Sequence, residues 1–249
     1  MNYISYSLWG CDKIYLAGIV VNVELAEKIY PGWKTIVYHD SSVPIETILR
    51  LQQLGAITID VTGDIYGMFW RFYAADLPDC NYVVFRDSDS RLSIREKMAV
   101  NEWMISNNAL HIMRDHPYHQ DPVNNIPHFI LGGMWGIKGN VIEMKKMIKH
   151  YSLGRTLAYG SDQIFLNDVY HKLKTSIIIH DDFFSNKPFP IKRTGYRFIG
   201  ERIDENENPA SEDWKVIRNY YRDKNKIISL LKTIKEKIRS VTSFLLKIK

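Results

Sequence analysis

The chain has 249 residues, of which 45% are hydrophobic and 24% are charged, and its formal net charge is +5. These proportions are ordinary for a globular protein, and the length suits one large α/β domain or two small ones. Residues 224–249 contain eight Lys or Arg and one acid, so the remainder of the chain is near neutral. We therefore expect no nucleic-acid partner.

The cysteine content and the absence of long apolar segments indicate the cellular compartment. Cys11 and Cys80 lie far apart and lack metal-ligand spacing, which favours a reducing compartment over a disulfide scaffold. The first residues lack the basic start and apolar run of a signal peptide, and no stretch reaches the 18 apolar residues of a membrane span. We therefore expect a cytoplasmic protein.

Helical and extended patterns alternate over the first 113 residues, which predicts an α/β fold with a mostly parallel, doubly wound sheet. Apolar residues at helical spacing, closed by Pro31-Gly32, indicate the first helix. The predicted strands are 4–8, 35–38, 56–61, 82–86 and 109–113. The predicted helices between them are 13–29, 44–54, 67–76 and 94–106.

The second part of the chain has a different pattern. Residues 114–129 are polar and irregular, and a loop of this length is uncommon without a functional role. The predicted elements that follow are a strand at 130–136, helices at 140–151 and 161–173, and a strand at 176–179. Residues 181–213 are irregular, and a helical tail begins near Glu212.

The sequence Asp87-Ser88-Asp89 directly follows the apolar run 82–85, which predicts a strand buried on both faces. Open α/β sheets bind ligands at the carboxyl ends of such strands. Two carboxylates this close repel each other unless a cation lies between them, and hard divalent cations prefer oxygen ligands. The pattern predicts a metal–diphosphate site, with a polar turn that caps the next helix as the alternative.

Other segments carry side chains suited to the same site. Arg71, one helix upstream, could neutralise a phosphate or hold a sugar hydroxyl, or form an ordinary salt bridge. Gly132 and Gly133 in a strand indicate close approach by a ligand, or packing alone. Asp162 and Gln163 fall in the first turn of a helix, where they could meet a ligand or cap the helix.

Two further side chains follow the last predicted strand. His180 could add a nitrogen ligand to a metal, and Lys187 could meet a diphosphate as a point charge. A lone histidine in this position is otherwise an ordinary turn residue.

In this order, the motifs resemble those of nucleotide-sugar glycosyltransferases of the GT-A fold, most closely glycosyltransferase family 8. Residues 162–167, Asp-Gln-Ile-Phe-Leu-Asn, match the family's D-Q-x-x-L-N helix at every specified position. Residues 187–189, Lys-Pro-Phe, resemble its K-P-aromatic segment. The likeness spans about residues 3–190. It departs at the Gly-Gly-Met-Trp-Gly run of 132–136 and in the segment before Lys187, which lacks the family's usual glycine.

The resemblance implies a Rossmann-like GT-A catalytic domain at 1–200, with a nucleotide-binding half at 1–113 and an acceptor-side half at 114–200. It also implies transfer of a sugar from a nucleotide-sugar, expected to be UDP-linked, to a glycan or lipid-linked acceptor. Retention of the anomeric configuration is expected; in an inverting enzyme, Asp162 would instead deprotonate the acceptor hydroxyl.

The same resemblance assigns roles to individual residues. Mn²⁺ or Mg²⁺ would be held by Asp87, Asp89 and His180, and the catalytic residues would be Asp162 and Gln163. The donor would be bound by Arg71, Asp87, Ser88, Asp89, Gly132, Gly133 and Lys187.

The polar loop and a neighbouring aromatic residue are candidates for sugar and acceptor recognition, since loops on a rigid sheet often carry such residues. A surface loop ordered by its own hydrogen bonds is the alternative. The candidates are Arg114, His116, His119 and Trp135.

The C-terminal extension, 201–249, contains a basic amphipathic segment at 224–249. Such a helix can lie on an anionic membrane surface, or it can dock on the body of the protein or on a second subunit in a homodimer. The apolar residues near one face are Ile227, Ile228, Leu231, Ile234, Ile238, Val241, Leu245 and Ile248.

Two other functions stay open. A sugar-phosphate nucleotidyltransferase has a similar sheet, but it normally carries a glycine-rich basic loop after the first strand, where residues 8–12 contain a single glycine. A non-catalytic nucleotide- or glycan-binding module would be distinguished by the absence of turnover.

Overall fold

The computed structural model of the protein describes residues 1–120, 128–184 and 186–246. The chain forms two compact units, 1–211 and 212–249. Residues 201–211, which the sequence analysis placed in the C-terminal extension, are part of the first unit. The stretch 121–127 of the predicted polar loop lies outside the described residues.

The described residues of the first unit form a seven-stranded sheet with helices on both faces. The strands are β1 (Asn2–Leu8), β2 (Lys34–His39), β3 (Ile57–Asp60), β4 (Tyr82–Arg86), β5 (Leu110–Arg114), β6 (Met134–Lys138) and β7 (Ile177–Asp181). The α-helices are α1 (Lys13–Ile29), α2 (Ile45–Gln53), α3 (Ile94–Ser106), α4 (Met144–Ser152) and α5 (Ser161–Leu173). Two 3₁₀ helices lie at Gly67–Asp76 and Pro117–Gln120.

The strand order is β3-β2-β1-β4-β6-β5-β7. All neighbouring pairs are parallel except those of β6, which runs antiparallel to β4 and β5. The predicted doubly wound, mostly parallel sheet is confirmed. Because β6 runs in the opposite direction, its first residue, Met134, pairs with Arg86 at the carboxyl end of β4. This pairing brings the two glycines that precede β6 to the edge of the sheet where β4 ends.

Two apolar layers cover the sheet. On one face, the 3₁₀ helix Gly67–Asp76, α4 and α5 pack on alternate residues of the central strands, including Phe85 and Trp135. On the other face, α1, α2 and α3 pack on Tyr6 and Val84. Alternation of the strand side chains between two covered faces explains why 82–85 is apolar throughout.

Two predicted elements begin later than expected. The helix predicted at 140–151 starts at Met144, because the carboxylate of Asp76 accepts hydrogen bonds from the amides of Met144 (2.8 Å) and Lys145 (2.7 Å). The strand predicted at 130–136 starts at Met134, whose amide donates to the carbonyl of Leu131 and closes a turn (3.0 Å). Both starts are fixed by partners that local sequence does not reveal.

The second unit contains the helix α6 (Trp214–Leu246). Five of the predicted apolar-face residues are exposed: Ile227, Ile228, Leu231, Ile234 and Ile238. Ile248 lies outside the described residues, as do the side chains of Val241 and Leu245. Among the described helices, none combines the length and apolar content needed to cross a bilayer.

Candidate functional site

A cleft of about 360 Å³ opens where β1 and β4 end and α5 begins. Aromatic side chains form one part of its wall: Trp9, Tyr15, Tyr66 and Tyr159. The cleft also brings together seven residues that the sequence analysis assigned to the site: Arg71, Asp87, Ser88, Asp89, Gly132, Asp162 and Gln163.

A buried guanidinium connects the two sides of this cleft. Arg71 lies on the 3₁₀ helix, and its Nη2 is 3.0 Å from Asp162 Oδ2 on α5, while its Nη1 pairs with the carboxylate of Asp87 after β4. Burial lowers the pKa of Arg71, but the carboxylates of Asp87 and Asp162 outweigh it and raise the pKa overall. Arg71 is therefore a fixed positive charge that holds two predicted site residues in place.

The acidic residues of the cleft stand close enough to repel one another. Burial raises the pKa of Asp89, the charge of Asp87 raises it further, and Arg202 opposes both. Burial likewise raises the pKa of Asp162, with Arg71 opposing and Asp87 adding to the rise. The side chain of Asp87 is 46% exposed and that of Asp89 is 15% exposed. Asp87 is thus the more accessible of the two to a cation that would relieve the repulsion.

The two glycines before β6 leave room for this arrangement. A Cβ added to Gly132 would lie 2.5 Å from Arg71 Nη2 and 2.6 Å from Asp162 Oδ2, and one added to Gly133 would overlap the carboxylate of Asp87. Gly132 also lines the cleft. Packing around the ion pairs is therefore sufficient to require glycine at both positions.

The acidic turn, residues 87–90, is anchored from the face of the sheet that α1 and α3 cover. The amide group of Asn22 on α1 donates to the carbonyls of Ser88 (3.1 Å) and Ser90 (2.7 Å). The buried Arg86 donates to the carbonyl of Gly133 (2.8 Å) and lies 3.3 Å from the carboxylate of Glu96 on α3. These contacts fix the backbone that carries the two aspartates.

The sequence analysis did not identify Asn22, Arg86 or Glu96. One signal for Asn22 was present, since it is a polar residue among the buried positions of α1. Buried polar side chains are normally hydrogen-bonded, so an asparagine on the apolar face of a helix predicts a backbone partner.

The structure corrects the predicted places of His180 and Lys187. The ring nitrogens of His180 lie 2.9 Å from His111 Nε2 and 2.9 Å from Glu102 Oε2, and Lys187 Nζ lies 2.7 Å from the same Glu102 carboxylate. Strand β7 is three strands from β4, which is roughly 14 Å at the usual strand spacing. Neither residue joins the acidic pair, and within 1–120, 128–184 and 186–246 no group of three or more acidic, histidine or cysteine side chains is arranged to hold a metal.

The four candidates for acceptor recognition are also placed elsewhere. Arg114 donates to the carbonyl of Phe129 (2.8 Å), and His116 and His119 pack on Phe198. Burial is the main cause that lowers the pKa of His119, to about 3, and the nearby charge of His116 is the second cause. Trp135 is fully buried, and its ring centroid lies 4.3 Å from that of Phe85. Among the described residues that line the cleft none of these four is found, and their role in acceptor recognition stays a prediction.

Comparison with known proteins defines the class of fold. No protein-family model matches the chain, and no curated protein matches it either. Residues 1–349 of TarS from S. aureus give a TM-score of 0.50 at 12% identity, over 76% of this chain and 59% of that one. The fold is therefore of the GT-A type, a mostly parallel α/β sheet with flanking helices.

Two further similar structures have lower TM-scores. Glucosyl-3-phosphoglycerate synthase from Mycobacterium tuberculosis gives 0.48 in its complex with phosphoglyceric acid and 0.47 in its complex with Mg²⁺ and UDP, both at 14% identity over 78% of this chain and 72% of that one. The 4-diphosphocytidyl-2C-methyl-D-erythritol synthase from Anaerococcus prevotii gives 0.47 at 11% identity, over 89% and 97%. These similarities do not single out glycosyltransferase family 8.

The repulsion at Asp89 leads to a prediction about stability and pH. We expect Asp89→Asn to raise the free energy of unfolding of the ligand-free protein at pH 7 by about 0.5 to 2 kcal/mol. Burial and the charge of Asp87 raise the pKa of Asp89 above its ordinary value of 3.8, so keeping it ionised destabilises the native state at neutral pH. As the pH falls through the raised pKa towards 3.8, that penalty disappears, and urea titrations should show the variant and the wild type converging.

Asp60→Asn is the matched control. The hydrogen bonds from the side chain and then the amide of Thr62 lower the pKa of this exposed carboxylate, so its replacement should lower stability at neutral pH. A loss of stability at pH 7 in Asp89→Asn, equal to that of the control, would contradict the assigned repulsion.

Proposed function

We propose that the chain is a metal-dependent glycosyltransferase that moves a sugar from a UDP-sugar to a glycan or a lipid-linked acceptor. The observation that carries the proposal is the convergence of Asp87, Asp89, Asp162 and Arg71 at one cleft on the carboxyl edge of the sheet. This edge is where open α/β sheets bind nucleotides. The aromatic wall offers stacking surfaces for a base or a sugar.

The residues at the acidic turn fit a divalent cation of the Mn²⁺ or Mg²⁺ type. Asp87 and Asp89 offer carboxylate oxygens, the ligands that such ions prefer, and their mutual repulsion would be relieved by a positive charge. Mg²⁺ is commonly held by one or two carboxylates together with substrate phosphates, so the site does not require His180. A bound ion would stabilise the negative charge that develops on the leaving nucleoside diphosphate.

The other residues of the cleft position the reacting groups. Arg71 fixes Asp87 and Asp162 at a set separation, and Gln163 follows in the first turn of α5. Asp162 accepts hydrogen bonds from sugar or acceptor hydroxyls in this scheme. Its carboxylate is buried and paired with Arg71, so we assign it a role in orienting the substrate. Retention of the anomeric configuration is what the resemblance to glycosyltransferase family 8 implies.

A screen of donors tests the proposal. UDP-glucose, UDP-galactose and UDP-N-acetylglucosamine are added with Mn²⁺ or with EDTA, and thermal unfolding is followed. The correct donor should stabilise the protein by about 2.7 kcal/mol at 100 times its dissociation constant, and only with Mn²⁺. Asp87→Asn should lose this stabilisation, whereas Asp60→Asn should keep it.

Other outcomes of the screen identify the rival functions. Stabilisation by UTP with a sugar phosphate, but by no UDP-sugar, would favour a nucleotidyltransferase. Stabilisation by a UDP-sugar without any transfer or hydrolysis would favour a non-catalytic binding module.

The anomeric configuration of the product tests the stereochemistry. We expect the NMR coupling constant of the product's anomeric proton to show the configuration of the donor sugar, as the resemblance to glycosyltransferase family 8 implies. Asp162, paired with Arg71, would then orient the substrate without acting as a base. An inverted product would contradict retention and would make Asp162 the candidate general base.

We also propose that residues 224–249 contact an anionic membrane surface, as an enzyme acting on a lipid-linked acceptor would require. The apolar residues of α6 from Ile227 to Ile238 are exposed, between 42% and 61%. The segment carries eight basic residues against one acid. This combination of an open apolar face and positive charge is typical of helices that lie in the interface of a bilayer.

Co-sedimentation with vesicles tests the membrane contact. The full chain should pellet with phosphatidylserine vesicles, less with phosphatidylcholine, and less at high salt. A variant with Lys224, Lys226, Lys232 and Lys235 changed to Gln should lose up to about 1 kcal/mol of binding per lysine. Equal pelleting of both proteins on both lipids would contradict the proposal, and a concentration-dependent doubling of mass would point to a homodimer.

A further inference from the structure

Residues 202–210 form a hairpin that packs on the acidic turn. The amide of Asp204 donates to the carbonyl of Asn208 and that of Ala210 donates to the carbonyl of Arg202, both at 2.8 Å. The amide of Ile203, a buried residue, donates to the carbonyl of Asp89 (2.7 Å). The hairpin is thus joined directly to one of the two carboxylate-bearing residues.

Arg202, at the start of this hairpin, reaches the rim of the cleft. Its Nε lies 2.9 Å from Asp89 Oδ2 and its Nη2 lies 3.2 Å from the hydroxyl of Tyr15. Asp89 and Tyr15 both line the cleft. The side chain of Arg202 is 51% exposed, so it is free to change partner without breaking the core.

The side chains that line the cleft offer a diphosphate no positive charge that is not already paired. Among the described residues that line it, the charged side chains are three aspartates and Arg71. The Nη1 and Nη2 atoms of Arg71 are already paired with Asp87 and Asp162. Lys187, the residue expected to supply positive charge, is paired with Glu102 on α3 (2.7 Å). Arg202, whose side chain is 51% exposed, contacts two residues that line the cleft and can supply this charge.

We propose that Arg202 binds the diphosphate of the donor and exchanges partners with the metal ion. In the ligand-free protein it neutralises Asp89; when the cation takes that carboxylate, the guanidinium turns to the phosphate oxygens, which match its planar donor pattern. This inference rests on the proposed function. It predicts that loss of Arg202 has opposite effects on the two ligands.

Calorimetric titration of the full chain tests the exchange, with Mn²⁺ alone and with UDP at saturating Mn²⁺ as probes. In Arg202→Gln, the affinity for Mn²⁺ alone should rise severalfold, since Asp89 is no longer neutralised. The affinity for UDP should fall at least tenfold, as expected when a hydrogen-bonded charge pair is lost. Arg202→Lys keeps the positive charge but loses the planar set of donors that the guanidinium provides, so it should retain part of the UDP affinity.

Glu207→Gln is the matched control. Glu207, in the turn of the same hairpin, forms an ion pair with Arg91 (2.7 Å). This variant therefore loosens the hairpin but keeps the positive charge of Arg202. Both affinities should stay within twofold of the wild type. If both variants weaken both ligands, the hairpin has only a structural role and the proposal is overturned.

Two further outcomes separate this inference from the proposed function. If the wild type binds UDP tightly and Arg202→Gln binds it equally well, the role of Arg202 is wrong and the proposed function stands. If the wild type binds none of UDP, GDP, CDP and dTDP in the presence of Mn²⁺, the proposed function fails and this inference fails with it.

Discussion

The buried guanidinium of Arg71 is the interaction on which the rest of the site depends. It joins the turn after β4 to the first turn of α5, two segments with no direct sequence connection. Asp162 is fully buried, and a buried carboxylate that loses its partner destabilises a protein by about 3 to 5 kcal/mol. The absence of side chains at Gly132 and Gly133 follows from the same constraint, because any Cβ there would enter the ion-paired group.

A second layer of polar contacts keeps the acidic turn in place despite its internal repulsion. Glu96 is buried between Arg86 and the hydroxyl of Tyr30, which donates to it at 3.0 Å. Asn22 supplies the donors for two carbonyls of the turn. Since these partners lie on the face opposite Asp162, the turn is held from both sides of the sheet. A functional site with unfavourable charge needs such rigid support to keep its geometry.

The sequence predicted those parts of the site that depend on local pattern. An apolar strand followed by two aspartates placed the acidic turn at the carboxyl edge, and Arg71 and Asp162 lie with it. His180 also follows a predicted strand and lies near the carboxyl end of β7, yet the order of strands along the sheet separates it from the turn. That order is set by the insertion of antiparallel β6 between β4 and β5, a tertiary pairing with no local signal. Trp135 faces the core because alternation along β6 puts it opposite Phe85.

Because His180 lies away from the acidic turn, the proposed site would hold its ligands without the nitrogen ligand that the sequence predicted. Two carboxylates give a divalent cation few protein ligands, and such ions complete their shell with water or phosphate oxygens. In this protein the carboxylates are also engaged, Asp87 by Arg71 and Asp89 by Arg202. Cation binding would therefore be opposed by two existing ion pairs and favoured by the phosphates that arrive with the proposed donor. Each ligand would then strengthen the binding of the other by the same factor, as linkage requires. In such a site the cation and the nucleotide-sugar would bind as one unit, and the hairpin that carries Arg202, which lies in the first unit of the chain, would take part in that binding.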